Sequence, residues 1–193
     1  LSSDAILYAD EYAKSEKVNN VEFRIQNIKE CINSFDNFTI DLFLMIEVAF
    51  FYPEWKDEMA KMLKKVKPGG LIVMSFRSLY FYALLLTKNR LFENLNTVIN
   101  KREGSILNGL SRYSWNSSYE IIELFTKTFS CDVLDFTGIG SCSGIPGDPH
   151  AHIVQPGKLF KNDLEELNNI EEYIGEKFPD AGRYMLLVAK KAI

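Results

Sequence analysis

The chain has 193 residues, 47% of them apolar, enough for one domain with a real buried core. Its 22 basic and 26 acidic side chains leave a formal charge of −4 with no basic block, which argues against a dedicated nucleic-acid binder, although not against a nucleic acid as substrate. Cys31, Cys131 and Cys142 have no paired spacing, which argues against a disulfide scaffold and for a reducing, cytoplasmic setting; the apolar run Leu79–Leu86 is far short of the roughly 20 residues a membrane span needs.

In chain order, Ser2-Ser3-Asp4 caps a helix whose Ala5, Ile6, Ala9, Tyr12 and Ala13 recur at helical spacing. The stretch "VEFRI" (Val21–Ile25) alternates like a short strand, and one or two helical turns follow from Asn27 to Ile32. Asp41–Ile46 is a continuous apolar run, as expected of a strand buried on both faces. Trp55, Met59, Met62, Leu63 and Val66 then share one helical face, with Lys64, Lys65 and Lys67 near the C-terminal end and Pro68-Gly69-Gly70 as the stop. "LIVMSF" (Leu71–Phe76) is the next buried strand, so the unit predicts a parallel pair with a right-handed crossover.

Ser78–Asn100 is expected to be helical and Lys101–Asn116 a loop. Ser117–Phe129 predicts a helix, Asp132–Gly140 a strand, Ser141–Gly157 a Gly/Pro loop, Asp163–Phe178 a helix and Arg183–Lys191 a final strand. The pattern is a single α/β domain over residues 1–193.

In this order and spacing, four stretches resemble the class I, Rossmann-like S-adenosylmethionine-dependent methyltransferases: Leu1-Ser2-Ser3 with its helix, "NNVEFRIQN" (Asn19–Asn27), "DLFLMIEV" (Asp41–Val48) and "LKKVKPGGLIVMS" (Leu63–Ser75). The closing "RYMLLVAKK" also resembles that family's last strand. The resemblance implies a mostly parallel sheet with an antiparallel last strand and helices on both faces. It also implies that the family's glycine-rich cofactor loop and ribose-binding acid lie before Leu1. The chain, which starts without Met, is therefore expected to be N-terminally incomplete, with the strand at Asp41–Ile46 unpaired on one side and cofactor bound weakly.

By the same resemblance Leu1 lies against the adenine ring, Asn27 accepts from its amino group and Ile28 offers a backbone N–H. Met45, Ile46 and Glu47 end the fourth family strand at the sheet's switch point, where ligands of open α/β sheets bind. Glu47 there either holds the cofactor's amino group or is a solvated loop carboxylate. Phe50, Phe51 and Tyr52 either wall the methyl-transfer pocket or pack under the next helix. Tyr113 and Arg77 are further acceptor-side candidates, Tyr113 with packing within the lid as the alternative and Arg77 with an ordinary surface arginine. His150 and His152, the only histidines, lie near Asp148; His150 is a weak candidate base, and a metal would need more converging ligands than this loop offers. No metal is expected.

The expected function is transfer of a methyl group from S-adenosylmethionine to a small-molecule acceptor by in-line displacement, which needs placement more than a base. Residues 78–116 and 140–157 are the expected substrate cover. The alternatives are a degenerate, non-catalytic member acting as an interaction module, and a nucleotide-sugar or dinucleotide enzyme on a similar sheet.

Overall fold

The computed structural model describes residues 2–105, 113–143 and 154–193. Seven α-helices and six strands are assigned among them, besides short 3-10 and π-helical turns: α1 (Ser3–Ser15), α2 (Ile28–Asn33), β1 (Ile40–Met45), α3 (Trp55–Met62), β2 (Val66–Arg77), α4 (Leu79–Lys88), α5 (Phe92–Asn96), β3 (Glu103–Gly104), β4 (Tyr113–Ser114), α6 (Ser118–Glu123), β5 (Cys131–Ile139), α7 (Lys161–Lys177) and β6 (Tyr184–Lys191). The main sheet runs β1-β2-β6-β5. β1 and β2 pair in parallel around α3, and β6 is antiparallel to both of its neighbours. The parallel crossover and the antiparallel last strand are those expected from the sequence.

One face of this sheet carries the core. Ile72, Met74 and Phe76 of β2 alternate inward with Met185, Leu187 and Ala189 of β6. Trp55, Met59 and Met62 of α3 pack on them, together with Ile121 and Phe125 from the α6 region. On the other face of β1, Leu42, Leu44 and Ile46 are exposed, and β1 is the sheet's edge among the described residues.

Three elements depart from the sequence reading. Val21–Ile25 forms no strand; an isolated extended segment leaves its backbone groups unpaired, and no strand among the described residues lies beside it. The helix after Pro53 ends at Met62, and Lys67-Pro68-Gly69-Gly70 belongs to β2 instead of closing that helix. There it bulges: Ile40 pairs with Val66 and Leu42 with Leu71, so four residues of β2 face one of β1. Gly69 takes a left-handed φ of 76°, and a Cβ on Gly70 would lie 2.7 Å from Val66 Cγ1 and 2.9 Å from the Lys67 carbonyl. The third departure is in 78–116, where α4 and α5 are separate and β3 pairs with β4 inside the expected loop.

That 78–116 excursion is clipped to the sheet at both ends. Asn116 N–H donates to the Arg77 carbonyl and Leu79 N–H to the Asn116 carbonyl. Ser78, the N-cap of α4, accepts from Phe81 N–H and donates to the Asp180 carbonyl. The Asp180 carboxylate in turn accepts from the backbone N–H and the hydroxyl of Ser118, at the start of α6. Tyr82, Leu85, Leu86, Val98 and Trp115 make a small second core. The excursion is thereby fixed at the rim where β2 ends and β6 begins.

Candidate functional site

The carboxyl ends of β1 and β2 and the start of antiparallel β6 lie at one rim of the sheet. A cleft of about 1150 Å³ opens there between the start of α2 and the end of β1, slightly above the usual range of small-molecule sites. Asn27, Ile28, Met45, Ile46, Phe51 and Tyr52 all line it. Six of the residues singled out in the sequence are thus brought together. Leu1 and His150 lie outside the described residues.

Asn27 serves the helix first. Its side-chain oxygen accepts from Glu30 N–H at 2.9 Å, and the Glu30 carboxylate accepts from Asn27 N–H at 3.1 Å, a reciprocal capping box. The neighbouring Gln26, also on the cleft, has a buried amide oxygen with no hydrogen-bond partner. A buried acceptor left unpaired is costly, and a donor such as an aromatic amine satisfies it. Nothing in the sequence separated Gln26 from Asn27; the commitment of Asn27 to its cap is what does.

Glu47 follows β1 in a left-handed conformation, φ 57°, uncommon for a residue with a Cβ. Its N–H donates to Ser75 Oγ at 2.7 Å, and Ser75 Oγ donates back to Glu47 Oε1 at 3.2 Å. Ser75 is buried in β2. A lone hydroxyl within "LIVMSF" is the signal in the sequence that could have found it. Because β1 is the edge strand among the described residues, the strand order does not reverse beside Glu47, and the expected switch point is not seen there.

Two residues further along β2, on the same face as Ser75, is Arg77. It is not a surface arginine: it is only 9% exposed. Its guanidinium carbon lies 4.2 Å from the ring centre of Tyr113, 4.6 Å from Phe50, 5.3 Å from Tyr82, 5.7 Å from Phe51 and 5.8 Å from Tyr184. All are within cation–π range. Nη1 donates to the Tyr82 hydroxyl at 2.7 Å, while Nε is buried without a partner. Burial pushes the Tyr184 hydroxyl above its ordinary value, with Arg77 opposing and Glu47 adding. Tyr184 is at this site through register alone: it pairs with Arg77 across β2 and β6.

The architecture is matched by solved structures along its whole length. An S-adenosylmethionine-dependent methyltransferase from Methanosarcina mazei superposes with a TM-score of 0.61 at 14% identity, covering 100% of this chain and 79% of that one. The fold is that of the Rossmann-like S-adenosylmethionine-dependent methyltransferases. Geranyl diphosphate methyltransferase in complex with S-adenosylmethionine superposes at 0.50 with 13% identity, over 100% of this chain and 66% of that one. The [4+2]-cyclase SpnF superposes at 0.54 with 12% identity, over 100% and 64%. One fold therefore carries more than one chemistry, and the residues of the rim must carry the functional argument. No protein-family model and no curated protein matches the sequence. No helix among the described residues is long and apolar enough to cross a membrane.

Proposed function

We propose that the chain is an S-adenosylmethionine-dependent methyltransferase acting on a small-molecule acceptor. The observation that carries this reading is the cleft at the methyltransferase-fold rim, where α2 and the end of β1 supply the walls the resemblance assigns to the cofactor. The residues fit that group. Ile28, Ile46 and Val48 offer apolar walls for a purine, and the unpaired Gln26 oxygen offers an acceptor for its amino group. The Glu47 carboxylate, held by Ser75, offers a counter-charge for an ammonium at the end of β1.

S-adenosylmethionine supplies a methyl group on a sulfonium, which passes to a lone pair of the acceptor while the sulfur keeps the electrons of the broken bond. The chain's own residues place and enclose. Phe51 and Tyr52 wall the cleft beside β1, and Tyr113 and Arg77 stand behind Phe51. Such placement supplies much of the rate for a displacement that needs no base.

The exposed Leu42, Leu44 and Ile46 favour the second reading, a non-catalytic interaction module on this fold. Calorimetry with S-adenosylhomocysteine separates the two. The first reading expects saturable one-to-one binding, weakened by Glu47→Ala; absence of binding by the folded chain sinks it in favour of the second.

A further inference from the structure

Arg77 is a buried cation. Among the described residues no carboxylate forms an ion pair with it, although Glu47 follows the neighbouring strand; Glu47 is bound to Ser75 instead. Five aromatic rings compensate part of the lost hydration, but ring faces leave in-plane N–H groups unbonded. The Tyr82 hydroxyl takes Nη1, whereas Nε is buried and unpaired. The edge left for a ligand is therefore Nε–Nη2. That edge presents two parallel N–H groups at the spacing of a carboxylate's two oxygens.

Resting on the methyltransferase reading, we propose that the acceptor substrate carries a carboxylate, received by the Nε–Nη2 edge of Arg77, and that its tail lies along the aromatic rings toward the cleft. Phe51 connects the two parts: its ring lies over Arg77, contacts Tyr113 at 5.0 Å between centres, and lines the cleft. It is also the cage phenylalanine left 45% exposed, while Phe50 is buried, so its rotation gives the anion its route in. The arrangement selects acids over their neutral analogues. A carboxylate satisfies both N–H groups of a buried guanidinium edge with charge, whereas an ester or amide offers one uncharged carbonyl acceptor and an alkyl group none.

The test is titration of the full chain, saturated with S-adenosylhomocysteine, with benzoate and hexanoate and with benzamide and hexanamide as their uncharged twins. The readout is the side-chain Nε–H NMR signal of Arg77, assigned by its loss in Arg77→Lys. The proposal expects the carboxylates to move this signal and to bind about tenfold or more tightly than the amides, and Arg77→Lys to lose most of that preference because it keeps the charge and loses the fork. Near-ultraviolet circular dichroism of Arg77→Lys confirms that its cage is still packed; if it is not, the carboxylate-to-amide ratio in the intact chain decides alone. Equal binding of acids and amides, no movement of the Arg77 signal by any of the four, or movement by inorganic phosphate alone overturns the assignment. The S-adenosylhomocysteine titration that precedes these additions reports separately on the methyltransferase reading, so that loss of one is distinguishable from loss of the other.

Discussion

Glu47 combines a left-handed backbone with a hydrogen bond at each end to Ser75. Such conformations cost free energy and persist where the surroundings enforce them. Glu47→Gly relieves that backbone strain but leaves the Ser75 hydroxyl without its acceptor, so the two effects are expected to offset to within about 1 kcal/mol in urea denaturation, while S-adenosylhomocysteine binds roughly tenfold more weakly through loss of the charge. A variant of equal affinity contradicts the role given to this residue. Ser75→Ala strands the Glu47 N–H and is expected to cost about 1–2 kcal/mol in the same measurement. Cys131 is a residue-scale contrast: burial pushes its thiol up to about 11, the nearby Lys191 opposing. In native protein at mildly alkaline pH it should be alkylated far more slowly than the partly exposed Cys31, and equal rates by mass spectrometry would show that the β5 edge opens.

At the scale of elements, the parallel β1–α3–β2 unit was legible because its signals are local: apolar runs of strand length around a helical face. The bulge at Lys67-Pro68-Gly69-Gly70 was not, since a Pro-Gly-Gly reads equally as a helix stop; only pairing to β1 reveals it. Gly70→Ala would place a methyl 2.7 Å from Val66 Cγ1 and 2.9 Å from a carbonyl oxygen, and should cost about 2–3 kcal/mol by urea unfolding, more than at an ordinary strand glycine. A neutral result would mean that the bulge relaxes freely. Val21–Ile25 shows the converse failure: alternation marks a segment able to pair but not whether a partner is there. Helix α7 is tied to the loop after β5 by Glu171, which accepts from Ser141 and Cys142 N–H at 2.8 and 2.9 Å. Burial alone would raise its carboxyl; hydrogen bonds from Ser143, Cys142 and Ser141 outweigh that and hold it below its ordinary 4.5. A lowered folded value means that stability from this group is present above the ordinary carboxyl range and is lost as pH falls through the folded value. Glu171→Gln should therefore lower the urea midpoint at neutral pH and converge with the parent chain in acid; a constant difference contradicts the link.

At the scale of the whole molecule, six of the candidate residues share one cleft because the start of α2 and the end of β1 meet at the same rim. What the sequence reading missed lies in contacts between distant segments. Arg77 read as a surface arginine because its cage is assembled from the ends of β2 and β6, the turn after β1, α4 and the segment before α6. Gln26 and Ser75 likewise acquire meaning only when their neighbours' hydrogen bonds are counted. The 78–116 excursion, held at both ends by Asn116 and Asp180, sets that cage against the cleft. The central claim is that one rim binds cofactor at the α2–β1 cleft, with the acceptor anchored behind Phe51. Backbone amide NMR during titration with S-adenosylhomocysteine tests it most directly. The account predicts saturable shifts concentrated at Gln26–Ile28 and Met45–Val48, with little change along α7. Shifts that fail to saturate, or that gather away from this rim, would contradict it.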